Sequence, residues 1–186
     1  GGGSFSLQAP SSSSNNRVMT LPDTADGTIL TTTNPKTDNI IQIVSTTKTD
    51  ATSTSTSGSF QDISGMSVSI TPSSTSSKIF IIISLGSVSS LDGIAVAFKL
   101  LRGSTAVGNS GGTGTYAGFT SLYAGGGTGD EYILSGSHNF LDSPSTTSST
   151  TYKLQWRNTS GTTYLNKYYG GNYQAASSIT AMEVAG

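Results

Sequence analysis

Three sets of residues in this chain have side chains that could do chemistry: one histidine, one adjacent pair of carboxylates and a scatter of tyrosines. His138 is the only histidine among 186 residues. A Ser-His-Asp relay or an imidazole-held metal would have to use it, with a nucleophile and an orienting group beside it. It lies in phase with Leu134 and Phe140, so it reads as a packed core or interface histidine. Asp130-Glu131 is an adjacent acidic pair. Glycoside cleavage needs two carboxyls facing each other across a cleft. Neighbours on a strand point to opposite faces, so the pair reads as solvated loop-end charge. The ten acidic residues are scattered and form no D-x-D-x-D ladder for calcium. There is no cysteine, hence no disulfide framework and no thiolate metal site. No catalytic residue, metal site or cofactor is assigned, and no enzyme is expected.

Two further patterns fall away. Gly125-Gly-Gly-Thr-Gly129 lacks the lysine and the following helix of a phosphate loop. Asn158-Thr-Ser160 fits the N-glycosylation pattern, a tripeptide common by chance. Binding character remains in the tyrosines. Tyr168, Tyr169 and Tyr173 sit with Asn172 among glycines, and Tyr116 and Tyr123 stand in an earlier Gly-rich stretch. Tyrosine with Gly, Ser and Asn is the composition of adaptable recognition loops. The same residues could instead cover sheet ends or fill a subunit interface.

The elements that must carry them read as strands. Thr71-Pro-Ser-Ser-Thr-Ser-Ser77 and Ser143-Pro-Ser-Thr-Thr-Ser-Ser149 are one heptapeptide used twice, with only Ser/Thr exchanges between the copies. Proline followed by small hydroxyl residues is turn chemistry. Each copy launches a strand, and the two are expected at comparable places in one sandwich. Strand signals occur at 40–44, 60–63, 66–71, 79–83, 94–101, 131–141, 152–156, 162–165 and 179–184. Residues 51–59 read as a loop. Ile79-Phe-Ile-Ile-Ile83 is apolar on both faces, so one face is expected in the core and the other under a second subunit or the N-terminal segment. Ile79, Ile81 and Ile83 are the residues assigned to that oligomer or arm contact. The expected fold is all-β: an antiparallel, jelly-roll-like sandwich over 38–186, preceded by an extended attachment arm over 1–37.

Composition sets the outer bounds. Charged residues make up 10 % of the chain and the net charge is −1, against about 25 % charged in an average domain. Nine Lys and Arg spread singly build no basic patch, which excludes nucleic acid. No segment approaches the ~20 apolar residues of a membrane span. Ser and Thr supply about a third of the chain. Such a surface suits salt water, where ion pairs are screened. A start on three glycines suggests a fragment or a processed chain.

Several motifs, in order, resemble a module of marine phage virion proteins, including those of cyanophages. They are the stretch from Phe60 to Ile79, Ala97-Phe-Lys-Leu-Leu-Arg-Gly-Ser104, the stretch from Phe140 to Gln155, and Ile179-Thr-Ala-Met-Glu-Val-Ala185. Leu21 to Leu30 resembles segments that precede the terminal domain of phage tail fibres. The resemblance implies a tail fibre or surface appendage at the virion surface. It implies a homotrimer, held to other virion proteins through residues 1–37 and recognising a host surface glycan. A capsid decoration protein without host binding, and a free carbohydrate-binding module, are the alternatives. The resemblance supplies no catalytic residues.

Overall fold

The computed structural model describes residues 35–91, 94–123, 131–168, 170–171 and 174–186. All but three residues of the expected arm therefore lie outside the described residues, as does Asp130. Short alternating runs separated by Ser, Thr and Gly give eleven strands and no helix among the described residues. They are β1 (Ile40–Lys48), β2 (Thr52–Thr54), β3 (Gln61–Ile70), β4 (Lys78–Leu91), β5 (Ala95–Arg102), β6 (Thr105–Ala106), β7 (Thr120–Tyr123), β8 (Glu131–Asp142), β9 (Thr150–Asn158), β10 (Thr163–Leu165) and β11 (Ser177–Val184).

The pairing has a simple rule. β1 pairs β11, β3 pairs β9, β4 pairs β8 and β5 pairs β7, all antiparallel. The first half of the domain thus runs against the second half in reverse order, as one long ribbon with its tip at β5–β7. Folded across itself, the ribbon makes two sheets. One reads β1-β11-β4, with β8 on the far edge of β4 and with β10 and β2 continuing beside it. The other reads β3-β9-β5, with β6 and β7 alongside β5. This is a jelly roll, and it bears out the all-β antiparallel sandwich.

Alternation decides what faces inward. Met66, Val68 and Ile70 on β3 meet Tyr152, Leu154 and Trp156 on β9 and Val96, Phe98 and Leu100 on β5 in one core cluster. The other sheet contributes Ile79, Ile81 and Ile83 on β4 with Ile179 and Ala181 on β11. That corrects the expected contact: Ile79, Ile81 and Ile83 are fully buried within a single chain and are not available to a partner. The outward side of β4 is Phe80 and Ile82. Two expected strands, 60–63 and 66–71, are one strand with a bulge. Gly65 adopts φ 79°, and the register with β9 slips between Asp62 and Ser67. The expected loop at 51–59 contains the short strand β2, held by β10.

The repeated heptapeptide has a physical explanation. The first copy carries the chain from β3 to β4, and the second from β8 to β9. Since β3 pairs β9 and β4 pairs β8, both strands of the ribbon cross between the sheets side by side. Ile70 lies opposite Thr150, and Ile79 opposite Asp142. Equivalent hydroxyls shape the two crossings. The Ser76 N–H donates to Ser74 Oγ (3.2 Å), and the Ser148 N–H donates to Thr146 Oγ1 (3.1 Å). Each crossing also lies next to a buried carboxylate. Glu183 Oε1 accepts from both the N–H and the hydroxyl of Ser73, at 2.7 Å each. Asp142 accepts from Arg102 Nη1 (2.9 and 2.8 Å) and from the Tyr152 hydroxyl (2.6 Å), tying the two sheets together. Burial, and then the hydrogen bond to Asp142, push the Tyr152 phenol far above its usual range, so it stays a donor.

This end is the base of the sandwich. The chain comes in here, with the Asp38 N–H donating to Ala185 O (2.8 Å). At the opposite end, the crown, β1, β4, β7 and β9 end and β3, β5, β8 and β11 begin.

On the outer face of β9, Lys153 Nζ and Gln155 Nε2 each donate to Asp62 at 2.7 Å. Lys153 first, then Gln155, hold the Asp62 carboxyl below its ordinary value. A depressed carboxylate stabilises the fold above its unfolded pKa and loses that contribution as pH falls through the folded one. Asp62 is more than half exposed, so solvent screening limits its contribution to about 0.5 kcal/mol. Asp62→Asn should therefore lower the urea midpoint slightly at pH 7. The gap to the parent chain should be full above about pH 4 and shrink as pH falls through the lowered folded value; a gap that does not shrink in acid would refute the assignment.

Candidate functional site

The crown is a set of loops mounted on buried side-chain anchors. Asn166 adopts φ 62° just after β10. Its Nδ2 donates to Lys48 O (2.8 Å) and Asp50 O (3.3 Å), and its Oδ1 accepts from the Ser177 hydroxyl (2.6 Å). One buried asparagine thus joins the start of the tyrosine-bearing connection, its return at Ser177, and the end of β1. Asn158 does the same for the β9–β10 turn, donating to Thr54 O, Ser160 O and Gly161 O. Asn158 is fully buried, so its Asn-Thr-Ser pattern is a structural turn and no glycan acceptor. Away from the crown, the half-buried Asn109 pins the β6–β7 connection to β5 through Leu100 and Val107. Sequence reasoning missed these three anchors. The only signal was an Asn next to turn residues.

His138 is structural. Its Nε2 donates to Gly108 O at 2.8 Å, and its ring stacks on Phe119 at 4.7 Å. Gly108 adopts φ 59°, and a Cβ there would strike the Phe140 ring, so the histidine closes a tight glycine contact. No group of three or more His, Asp or Glu that could hold a metal occurs among the described residues.

The structure separates the candidate tyrosines. Tyr123 ends β7 opposite Ala95 and is 67 % exposed. Tyr116 lies under Arg157, whose guanidinium carbon is 4.9 Å from the ring centroid. Arg157 is held by Ser57 O (2.6 Å) and Thr115 O (3.1 Å), and it sits opposite Ala97 on β5. Tyr116 and Tyr123 therefore share the outer face of the β5 sheet. Tyr168 belongs elsewhere. It follows Lys167, whose carbonyl accepts from Ser89 Oγ (2.6 Å) on the outer side of β4. The segment folds back there through the Lys167–Gln174 bridge. Tyr169, Asn172 and Tyr173 lie outside the described residues. The described candidates thus form no single site. One exposed aromatic face, Tyr116–Tyr123 with Arg157, stands near the crown; Tyr168 lies on the opposite face.

No protein family matches the chain, and no curated protein does. Among solved structures it resembles the VP2 subviral particle of infectious bursal disease virus. The two are 14 % identical, over 82 % of this chain and 34 % of that one, with a TM-score of 0.44. The Gt strain of the same virus is 13 % identical over 91 % and 42 %, with a TM-score of 0.42. Its T=1 particles are 14 % identical over 91 % and 41 %, with a TM-score of 0.40. The chain spans less than half the length of these viral proteins.

Proposed function

We propose that this chain is a structural protein of a bacteriophage particle, a homotrimeric surface appendage whose jelly-roll head recognises a host surface glycan. The reading draws on the resemblance of its motifs to marine phage modules. The observation that carries it is the polarity of the fold. Residues 35–39 and 184–186 meet at the base, where attachment through the preceding segment belongs. At the opposite end the buried Asn158 and Asn166 hold the β9–β10 turn and the start and return of the β10–β11 connection. Loops held on a rigid scaffold are where recognition is commonly found. Tyr123, exposed beside the Arg157-braced Tyr116, offers a ring face of the kind that stacks on a sugar.

Binding of the purified chain to a panel of bacterial surface polysaccharides tests it. The parent chain should bind at least one, and Tyr123→Ala should weaken that binding about tenfold, or 1.4 kcal/mol. Thermal melting should be unchanged, since the side chain is open to solvent. Absence of any glycan binding would remove the receptor role and leave the capsid decoration reading. Immunogold labelling of particles would separate the two by position.

A further inference from the structure

The two outer faces of the sandwich differ in kind. The face over β3, β9 and β5 carries Asp62, Lys153, Gln155, Lys99 and Arg157, which engage one another or nearby groups. The face over β1, β11, β4 and β8 is almost free of charge. Its cross-strand rows follow from the registers. Nearest the base, Ile40, Val184 and Lys78 align. Next come Ile43, Met182, Phe80 and Leu141, one from each strand. Then come Ser45, Thr180, Ile82 and Asn139. Ile40 is 54 %, Ile43 59 %, Leu141 47 % and Ile82 37 % exposed.

On β4 the crown half of this same face is covered by the chain itself, while Ile133, opposite Ser89 on β8, stays 51 % exposed. The segment around Lys167 lies over Ser89, which is buried. The base half has no such cover among the described residues. A contiguous aliphatic patch on four adjacent strands differs from scattered surface apolar residues and marks an interaction surface.

We infer that this base-half face of the β1-β11-β4-β8 sheet is the surface through which copies of the chain associate. The size fits. The exposed aliphatics offer roughly 400 Å² of apolar surface, close to the apolar share of one side of a standard interface burying about 800 Å² per partner. The geometry favours a face over an edge. Strand β1 lies at the edge of its sheet, but its register breaks between Ile40 and Gln42, and a bulge of that kind blunts strand-to-strand addition. A charge-poor face also suits a like copy, since no opposite charge is needed from the partner. The inference rests on the self-association in the proposed trimer and not on where a particle carries it.

Sedimentation equilibrium of the full chain tests it. The parent chain should have a mass that is a multiple of 19.0 kDa. Ile43→Lys/Leu141→Lys should sediment at 19.0 kDa with an unchanged circular dichroism spectrum. Ser69→Lys, on the outer face of β3, should keep the parent mass. A double variant that keeps the parent mass overturns this face and leaves the trimer standing. A parent chain that is monomeric overturns both. Should the double variant not fold, Leu141→Cys decides. The chain has no other cysteine, and a bifunctional thiol cross-linker must then give covalent dimers; only monomer would refute the contact.

Discussion

Asp142→Ala should destabilise the chain by about 3 kcal/mol, seen as a lower urea midpoint with an unchanged slope. The carboxylate is the junction of three strands. Arg102 ends β5 in one sheet, Asp142 ends β8 in the other, and Tyr152 rises from β9. Removing it strips the buried Tyr152 hydroxyl of its acceptor at 2.6 Å, and an unmet buried hydroxyl costs about 1–3 kcal/mol. It also leaves Arg102 without its 2.8 Å partner. The Arg102 side chain keeps 30 % exposure, so its guanidinium can turn to water. That holds the total at the lower end of the 3–5 kcal/mol typical of breaking a buried pair. Tyr152→Phe alone should cost about 1 kcal/mol. In the double variant the two losses should fall short of additive, because Asp142→Ala already orphans the hydroxyl. A loss under about 1 kcal/mol for Asp142→Ala would show that the pair does not hold the sheets together.

Phe98→Ala should be as damaging, about 3–5 kcal/mol, as is typical for deleting a buried aromatic ring. The ring is fully buried. It lies between Phe119, with centroids 6.3 Å apart, and Trp156 at 6.4 Å. The Phe98 carbonyl also accepts from the Phe119 N–H at 2.8 Å. Gly118 sits so close to that carbonyl that a Cβ would collide with it. The backbone there is pinned and cannot collapse to fill the cavity. Trp156 is the only tryptophan, so its emission reports the site alone and should shift red as water gains access. A loss below about 2 kcal/mol with unshifted emission would mean that the site relaxes after all.

Strand identity was legible wherever one face of a strand is apolar and the other polar. Met66, Val68 and Ile70 could be assigned to the core from alternation, and so could Tyr152, Leu154 and Trp156. β4 defeated the same logic because Phe80 and Ile82 are as apolar as Ile79, Ile81 and Ile83. Which set faces inward is decided by Ile179 and Ala181 across the ladder, far along the chain. Strand order was not legible either, since ribbon pairing joins residues that share no local signal. Asp142 shows the limit for single side chains. It precedes a Ser-Pro turn and looks like a solvated loop charge, yet its burial is set by Arg102, 40 residues away. The tyrosines read as one recognition set because composition carries no face; the fold sends Tyr116 and Tyr123 to one side and Tyr168 to the other.

The ribbon that rolls into two sheets also sets an order of assembly. Its tip, β5–β7, closes a short loop, and each pair beyond it spans more chain, ending with β1 against β11. Entropy favours zipping outward from the tip. β11 lies between β1 and β4, so the last strand of this domain in chain order fills a place inside its sheet. Until it arrives, β1 has no neighbour to pair with and the aliphatic face of Ile43, Phe80 and Leu141 does not exist as a surface. If copies associate through that face as inferred above, the association waits until β11 has joined its sheet.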